Sequence, residues 1–498
     1  MSTFFKLPRD FVRSMLGSHS VLGLTIAGLL YLVCVSGTLA VLYPQFERWE
    51  QPRVSESPAF DAAAIDVAAA TALGRETQRP EHLFIALPTD EVPRTSVEVG
   101  ETSGFIRADG SLGEPVDHGW THFLVELHYA LSLPDVLGLL LVGIVGIVMT
   151  AMVISGLLAH PNIFKDAFSF RVGGPRRLQQ VDIHNRLSVW TSPFQLAIAL
   201  TGAFVGLSQV WGFTVAALFF GGDTTAATKS LFLQHDEPTG IAAPLIKVAD
   251  ILERVRVEHP DEQPMFVTIH EPGTTAQAVE VGTRVPRRIV WGEFYLYDAR
   301  GRYVGDAGWS DGDVGVQVYS SNFRLHFGHF AGVPMQVAYI VLGAALCVVI
   351  ATGVNIWLLR RAQAGRPAVI AQRLWTTTIW GTPLAMAISA LADVIADFNG
   401  VVVFWLGLLA LLVAGWRISD VQRWSRRLRW SLAAVSAGIV AAHAVRFGGD
   451  AVNEAALLVN VSWLTLAGGA FIAAVTSSAK AVPTGAQQPA RVGESPFT

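Results

Sequence analysis

Apolar runs near the length of a bilayer span, separated by polar stretches, dominate the pattern of this chain. They predict about eight membrane helices, near residues 21–43, 136–159, 187–207, 337–359, 375–395, 401–415, 430–445 and 455–475, of which the sixth and seventh are short. Two long segments between them, residues 44–126 and 221–324, read differently. Each opens on a helical pattern, at residues 60–73 and 244–257, and then alternates apolar and polar positions in short runs between turns. The runs are HLFIALP, TSVEVG and GFIRADGSLG in the first segment, and MFVTIH, AQAVEVG and EFYLYDARGRYVGD in the second. Two small α+β modules are expected. A unit of helix, module and helix therefore occurs twice.

The expected fold class is an integral membrane α-helical protein of about eight spans, built on that duplicated unit. Its expected parts are an N-terminus with the first span (1–43), module one (44–126), the second and third spans with their loop (127–220), module two (221–324), the fourth span (325–361), a separate four-span C-terminal region (362–476), and a disordered tail (477–498) whose Pro, Gly, Ser and Gln cannot build a core.

The repeat carries histidines. His19 and Gly37 are eighteen positions apart, as are His184 and Gly202, and each pair brackets an apolar run. Eighteen residues make about five helical turns, so each histidine is expected on the same helix face as its glycine. Leu127-His128 leads into a run ending Ile154-Ser155-Gly156, and Leu325-His326 into one ending Ala351-Thr352-Gly353. The shift is 165 for the first histidine and glycine, 197 for Gly156 to Gly353 and for Gly146 to Gly343, and 198 for His128 to His326, an offset that a kink near Pro334 would absorb.

Neutral imidazole is an axial ligand of heme iron, and ionisable residues at membrane helix ends are functional candidates. Two-fold symmetry of the repeat would face His19 with His184 and His128 with His326, each pair gripping one heme from both sides. Full ligation leaves no open position, so such hemes would carry electrons. Two hemes b are expected, since no C-x-x-C-H attachment motif occurs. Gly37, Gly202, Gly146 and Gly343 either let a flat macrocycle approach the backbone or simply pack helices closely. His160 and His329 are alternate ligands, but their repeat counterparts are not histidines. His118 and His122 have a zinc-compatible spacing without further ligands and are expected to be solvent-exposed. His82, His235, His259 and His270 are scattered through the modules and indicate nothing specific. Asp393, Asp397, His443 and Arg446 near span ends suggest either a quinol or proton site or structural ion pairs.

Charge sets the expected orientation. Lys6, Arg9 and Arg13, then Lys165, Arg171, Arg176 and Arg177, then Arg360, Arg361, Arg366 and Arg373, then Arg417, Arg423, Arg426, Arg427 and Arg429 all fall on one side if eight spans alternate. That side is cytoplasmic and holds both termini, with the modules periplasmic and the first run retained as an anchor. Cys34 and Cys347 lie within spans, which leaves no disulfide framework. The net charge of -4 is modest and says little about partners, and no nucleic acid is expected.

The duplicated H-x-x-L-x-x pattern, the L-H-Y-A-L and L-H-F-G-H-F entries, and the S-G or T-G near span ends make residues 18–361 resemble the PepSY-associated transmembrane family. Within it the chain looks like the FoxB and PiuB-type inner-membrane members linked to iron uptake. The helix-then-strands segments resemble PepSY domains, with Tyr295-Leu296-Tyr297-Asp298-Ala299-Arg300-Gly301 in place of the usual strand-turn motif. The resemblance implies a b-type diheme oxidoreductase that reduces ferric iron in siderophores at the periplasmic face, with His19, His128, His184 and His326 as ligands. Reduction weakens hard-oxygen chelation and so promotes iron release. No dinucleotide fingerprint in a strand-turn-helix context is present, so the expected electron donor is quinol or a separate reductase. The alternatives are a non-enzymatic PepSY membrane protein that binds or regulates a periplasmic partner, and a transporter. The repeat runs parallel rather than inverted, which counts against the transporter.

Overall fold

The computed structural model describes residues 8–159, 176–229, 232–235, 238–286 and 288–479. The first half contains α1 (Arg9–Ala40), α2 (Tyr43–Glu50), α3 (Ala62–Leu73), β1 (His82–Ala86), β2 (Ser96–Val99), β3 (Thr102–Phe105), α4 (Gly119–Tyr129) and α5 (Asp135–Leu158). The second contains α6 (Arg176–Trp190), α7 (Ser192–Gly206), α8 (Ser208–Phe219), α9 (Thr224–Lys229), α10 (Val248–Glu258), β4 (Gln263–His270), β5 (Ala278–Arg284), β6 (Glu293–Tyr297), β7 (Tyr303–Asp306), α11 (Val314–Phe327) and α12 (Gly332–Gln363). Four helices close the chain: α13 (Val369–Ala396), α14 (Gly400–Arg417), α15 (Val421–Phe447) and α16 (Glu454–Ala479).

Among the described residues, α1, α5, α12, α13, α14, α15 and α16 are each long and apolar enough to cross a membrane. An eighth crossing requires α6 and α7 together, and these are bent by 68°. The sequence pattern predicts one straight span at 187–207; Pro193, in the first turn of α7, lacks the N–H that would continue the ladder of α6, and the chain breaks there. The protein is a helical integral membrane protein.

The two α+β segments do not stand apart. Their strands form one antiparallel seven-stranded sheet in the order β3-β2-β1-β4-β5-β6-β7, joined where β1 pairs with β4. These are equivalent strands of the two halves, so their antiparallel pairing creates a local two-fold relation. Leu83, Ile85, Val267, Ile269, Val279 and Val281 point to one face and are buried under α3 and α10 in a shared core. The helices are pinned together as well: Asp66 of α3 accepts from the backbone N–H groups of Val248 and Ala249 at the start of α10, at 2.7 and 3.3 Å.

The membrane core repeats the same relation. α1 packs on α4, α5 and α12, while α7 packs on α5 and α11, and α6 on α12. α12 runs unbroken through Pro334, which sits in its first turn, so no kink absorbs the one-residue offset of the repeat. The offset falls in the turns instead: residues 130–134 join α4 to α5, and the shorter 328–331 join α11 to α12. Leu131 and Ser132 make the first turn at positive φ, and Gly328 makes the second at φ 75°. The C-terminal helices are not a separate region. Phe404, Leu428, Leu432 and Val459 share a buried core with Val33 of α1, Trp49 of α2 and Trp120, Leu124 and Leu127 of α4.

Candidate functional site

Each of the four repeat histidines sits in the same local arrangement, built from a neighbouring helix. In that helix a serine or threonine precedes a glycine, and the hydroxyl bonds back to the carbonyl three residues earlier: Ser36 to Val33, Ser155 to Met152, Thr201 to Ile198 and Thr352 to Val349, at 3.0–3.4 Å. The histidine Nδ1–H donates to the same carbonyl: His128 to Val33 at 3.0 Å, His19 to Met152 at 2.9 Å and His184 to Val349 at 2.9 Å. His326 bonds the Ile198 carbonyl too, and its Nδ1 lies 3.0 Å from the Thr201 hydroxyl. A carbonyl only accepts, so Nδ1 carries the proton and Nε2 keeps a lone pair. Among the described residues Nε2 has no hydrogen-bond partner in any of the four.

The glycine makes room for the ring. A Cβ on Gly37 would lie 2.5 Å from Cε1 of His128, and one on Gly202 would lie 2.8 Å from Cε1 of His326. The corresponding distances are 3.2 Å from Gly156 to His19 and 3.1 Å from Gly353 to His184. The sequence pattern ties each glycine to the histidine of its own run; in the fold it receives the ring of another helix. Gly146 and Gly343 do something else, closing α5 onto Ala199 and Ala203 and α12 onto Thr38.

His128 and His326 are brought together with ring centres 6.0 Å apart and planes 17° from parallel. His19 and His184 meet at 6.3 Å and 75°. The first pair hangs from the last turns of α4 and α11, short helices that precede the spans rather than begin them. Burial lowers the pKa of His128, and burial followed by the charge of His128 pushes His326 down to about 3, so both rings are neutral. His19 lies about 20 Å along α1 from Val33, which separates the two pairs by most of a membrane core.

A cavity of about 680 Å³ opens at the His128–His326 pair. Gly37, Gly202, Phe194 and Tyr339 line it among the helices, and Met265, Phe266 and Trp291 line its sheet end. Its charged groups lie at that end: Arg284 pairs with Glu91 at 3.0 Å, and Arg324 donates to the Val290 and His329 carbonyls. His329 lines the same cavity but stands apart from the pair, its Nε2 3.3 Å from the Val41 carbonyl and its ring against Tyr43. His160 lies outside the described residues. His122 is exposed, whereas His118 is half-buried against Phe105, contrary to expectation. Arg446 forms an ion pair with Asp397 at 2.8 Å and donates to the Asp393 carbonyl, while His443 stacks on Trp49 and bonds its carbonyl. These last contacts tie α13 and α15 to each other and to α2.

Fold and site define a helical membrane protein with an internally duplicated core, two facing histidine pairs and a sheet domain over one of them. The chain belongs to the PepSY-associated TM region family, whose model matches residues 17–360 and ends where α13–α16 have yet to begin. An uncharacterized protein of Pseudomonas aeruginosa is 24% identical over 304 residues, covering 58% of this chain and 76% of the relative.

Proposed function

We propose that the two histidine pairs are the axial ligand sets of two b-type hemes, and that the protein carries electrons across the membrane to reduce a ferric chelate on the sheet side. The observation that carries this reading is the fourfold Ser/Thr-Gly-His arrangement, which leaves each Nε2 without a hydrogen-bond partner among the described residues and brings the four rings together in two pairs. With metal–imidazole bonds of about 2 Å and about 1 Å from ring nitrogen to ring centre, two axial imidazoles on one ion have centres about 6 Å apart. The observed 6.0 and 6.3 Å fit that span. Carbonyl bonds to Nδ1 are the partners that fix tautomer and ring orientation in metal-ligating histidines.

When bound, heme would supply one-electron redox chemistry, held by His19 with His184 and by His128 with His326. The residues of the chain do the rest. The glycines let the imidazoles sit flush against the helices, the apolar cavity walls exclude water, and Arg324, bonded to backbone carbonyls, places positive charge beside the Arg284–Glu91 ion pair, where an anionic chelate or carboxylate would approach. One electron taken from quinol or a separate reductase converts Fe³⁺ to Fe²⁺ in the chelate, which then binds hard oxygen donors less tightly. The orientation with both termini cytoplasmic and the sheet periplasmic, in a bacterial inner membrane, belongs to this reading and rests on the basic loops.

The test is a pyridine hemochrome assay with a redox titration of the purified protein. Two b-type hemes per chain, and reoxidation of the dithionite-reduced protein by a ferric siderophore, are expected. A protein without a Soret band would return the chain to a non-enzymatic role in binding a periplasmic partner.

A further inference from the structure

Three histidines that are far apart in sequence converge on the sheet face opposite α3 and α10. His82 opens β1 and His270 ends β4, and the antiparallel register sets them directly across from each other. Their rings are 5.1 Å apart and nearly perpendicular, at 88°. His235, from the segment before α10, stacks on His270 at 4.4 Å and 20°. Glu280 of β5 pairs with Thr268, two residues before His270, so its side chain leaves the sheet on the same face. Its carboxyl is held above the usual range by burial, with His235 pulling the other way.

The decisive feature is His270. Both of its ring nitrogens are buried, and neither reaches a hydrogen-bond partner among the described residues. Buried polar atoms are nearly always satisfied, and an exception calls for a reason such as an ion. Packing alone does not supply one, because an imidazole kept only for its ring face would do better as an apolar side chain.

We propose that His82, His235 and His270, with Glu280 beside them, bind a first-row divalent transition cation. Imidazoles with one carboxylate suit zinc, copper or ferrous iron rather than calcium or magnesium, which take oxygen ligands. Two imidazoles bound to one ion at about 2 Å have ring centres roughly 4.5–5 Å apart for bond angles between square and tetrahedral. The ring separations of 5.1 and 4.4 Å lie close to the two ends of that range. The stacked planes of His235 and His270 aim their in-plane lone pairs side by side rather than at one point, so closing the trio on one ion requires rotation of both His82 and His235, whose side chains are exposed and can turn. Burial, and then the charges of His235 and His82, push His270 down to about 4, so its lone pair is available at neutral pH. The site also has a direction. Phe266, four residues earlier on the same face of β4, lines the cavity at His128 and His326, which puts the cation about 13 Å along one strand from that cavity.

The experiment is isothermal titration of the full-length chain in detergent with Zn²⁺ after chelator treatment, with Cu²⁺ electron paramagnetic resonance on the same samples. Wild type should bind one equivalent of Zn²⁺ that His82→Ala and His270→Gln bind at least tenfold more weakly, and Cu²⁺ should show nitrogen coupling that both variants lose. His82 is exposed, so His82→Ala should keep the wild-type melting temperature and heme absorbance, which separates this result from any failure of the heme reading. His128→Ala should retain the Zn²⁺ equivalent. Identical titrations for wild type, His82→Ala and His270→Gln, or loss of the equivalent in His128→Ala alone, would overturn the proposal.

Discussion

Replacing Gly37 by alanine tests whether the glycine cradle sets the ligand position. The new Cβ would lie 2.5 Å from Cε1, 2.8 Å from Nδ1 and 3.1 Å from Nε2 of His128. Ordinary carbon contacts begin near 3.5 Å, so the ring would have to retreat by about 1 Å. That retreat breaks the 3.0 Å bond to the Val33 carbonyl and far exceeds the roughly 0.2 Å tolerance of a metal–ligand distance. Overpacking of this kind costs about 1–3 kcal/mol, or roughly 5- to 140-fold in heme retention at about 1.4 kcal/mol per tenfold. At Gly202 the contact would be 2.8 Å, while at Gly353 and Gly156 it would be 3.1 and 3.2 Å, where a few tenths of an ångström suffice. The expected severity is therefore Gly37→Ala, then Gly202→Ala, with Gly353→Ala and Gly156→Ala mild. Gly28 faces open space, so Gly28→Ala serves as the neutral control. Heme-to-protein ratios and low-spin paramagnetic resonance signals of each variant read the outcome. Equal losses in Gly156→Ala and Gly37→Ala, or two unperturbed hemes in Gly37→Ala, would refute the role of the cradle.

Histidine variants should sort by pair: His19→Ala and His184→Ala remove one spectral component, His128→Ala and His326→Ala the other, and His329→Ala neither; a different grouping in the absorbance and resonance spectra would redraw the ligand sets. Glu50 accepts from the N–H groups of Trp120 and Thr121 at the start of α4, yet burial pushes its pKa from 4.5 up to about 8. Between those values the folded state holds a proton that the unfolded state releases, so stability should fall as pH rises from about 4.5 to about 8. Glu50→Gln keeps an acceptor and should flatten that slope in melting temperature against pH; an unchanged slope would assign it to another group. A reporter fused after Thr498 should be cytoplasmic and reporters inserted near Gly110 or Gly240 periplasmic, and a periplasmic C-terminus would reveal an odd number of crossings.

Much of this molecule is legible in one dimension, because helices and strands declare themselves by local periodicity. The apolar runs locate the membrane helices, the alternation in HLFIALP and MFVTIH locates β1 and β4, and the shift of 165 relates His19 to His184 and Gly37 to Gly202. A repeat also implies symmetry, and symmetry was enough to match each histidine with the one it faces. Partners across elements are another matter, since they depend on which surfaces dock. That Gly37 receives His128 follows from α4 folding back along α1, and no local pattern encodes it. The bend at Pro193, the docking of α13–α16 on α2 and α4, and the fusion of two segments into one sheet are likewise decided by long-range packing. His82 and His270 are 188 positions apart and look unrelated along the chain. The antiparallel pairing of β1 with β4 makes them neighbours, because a ladder brings distant residues within side-chain reach once its register is set.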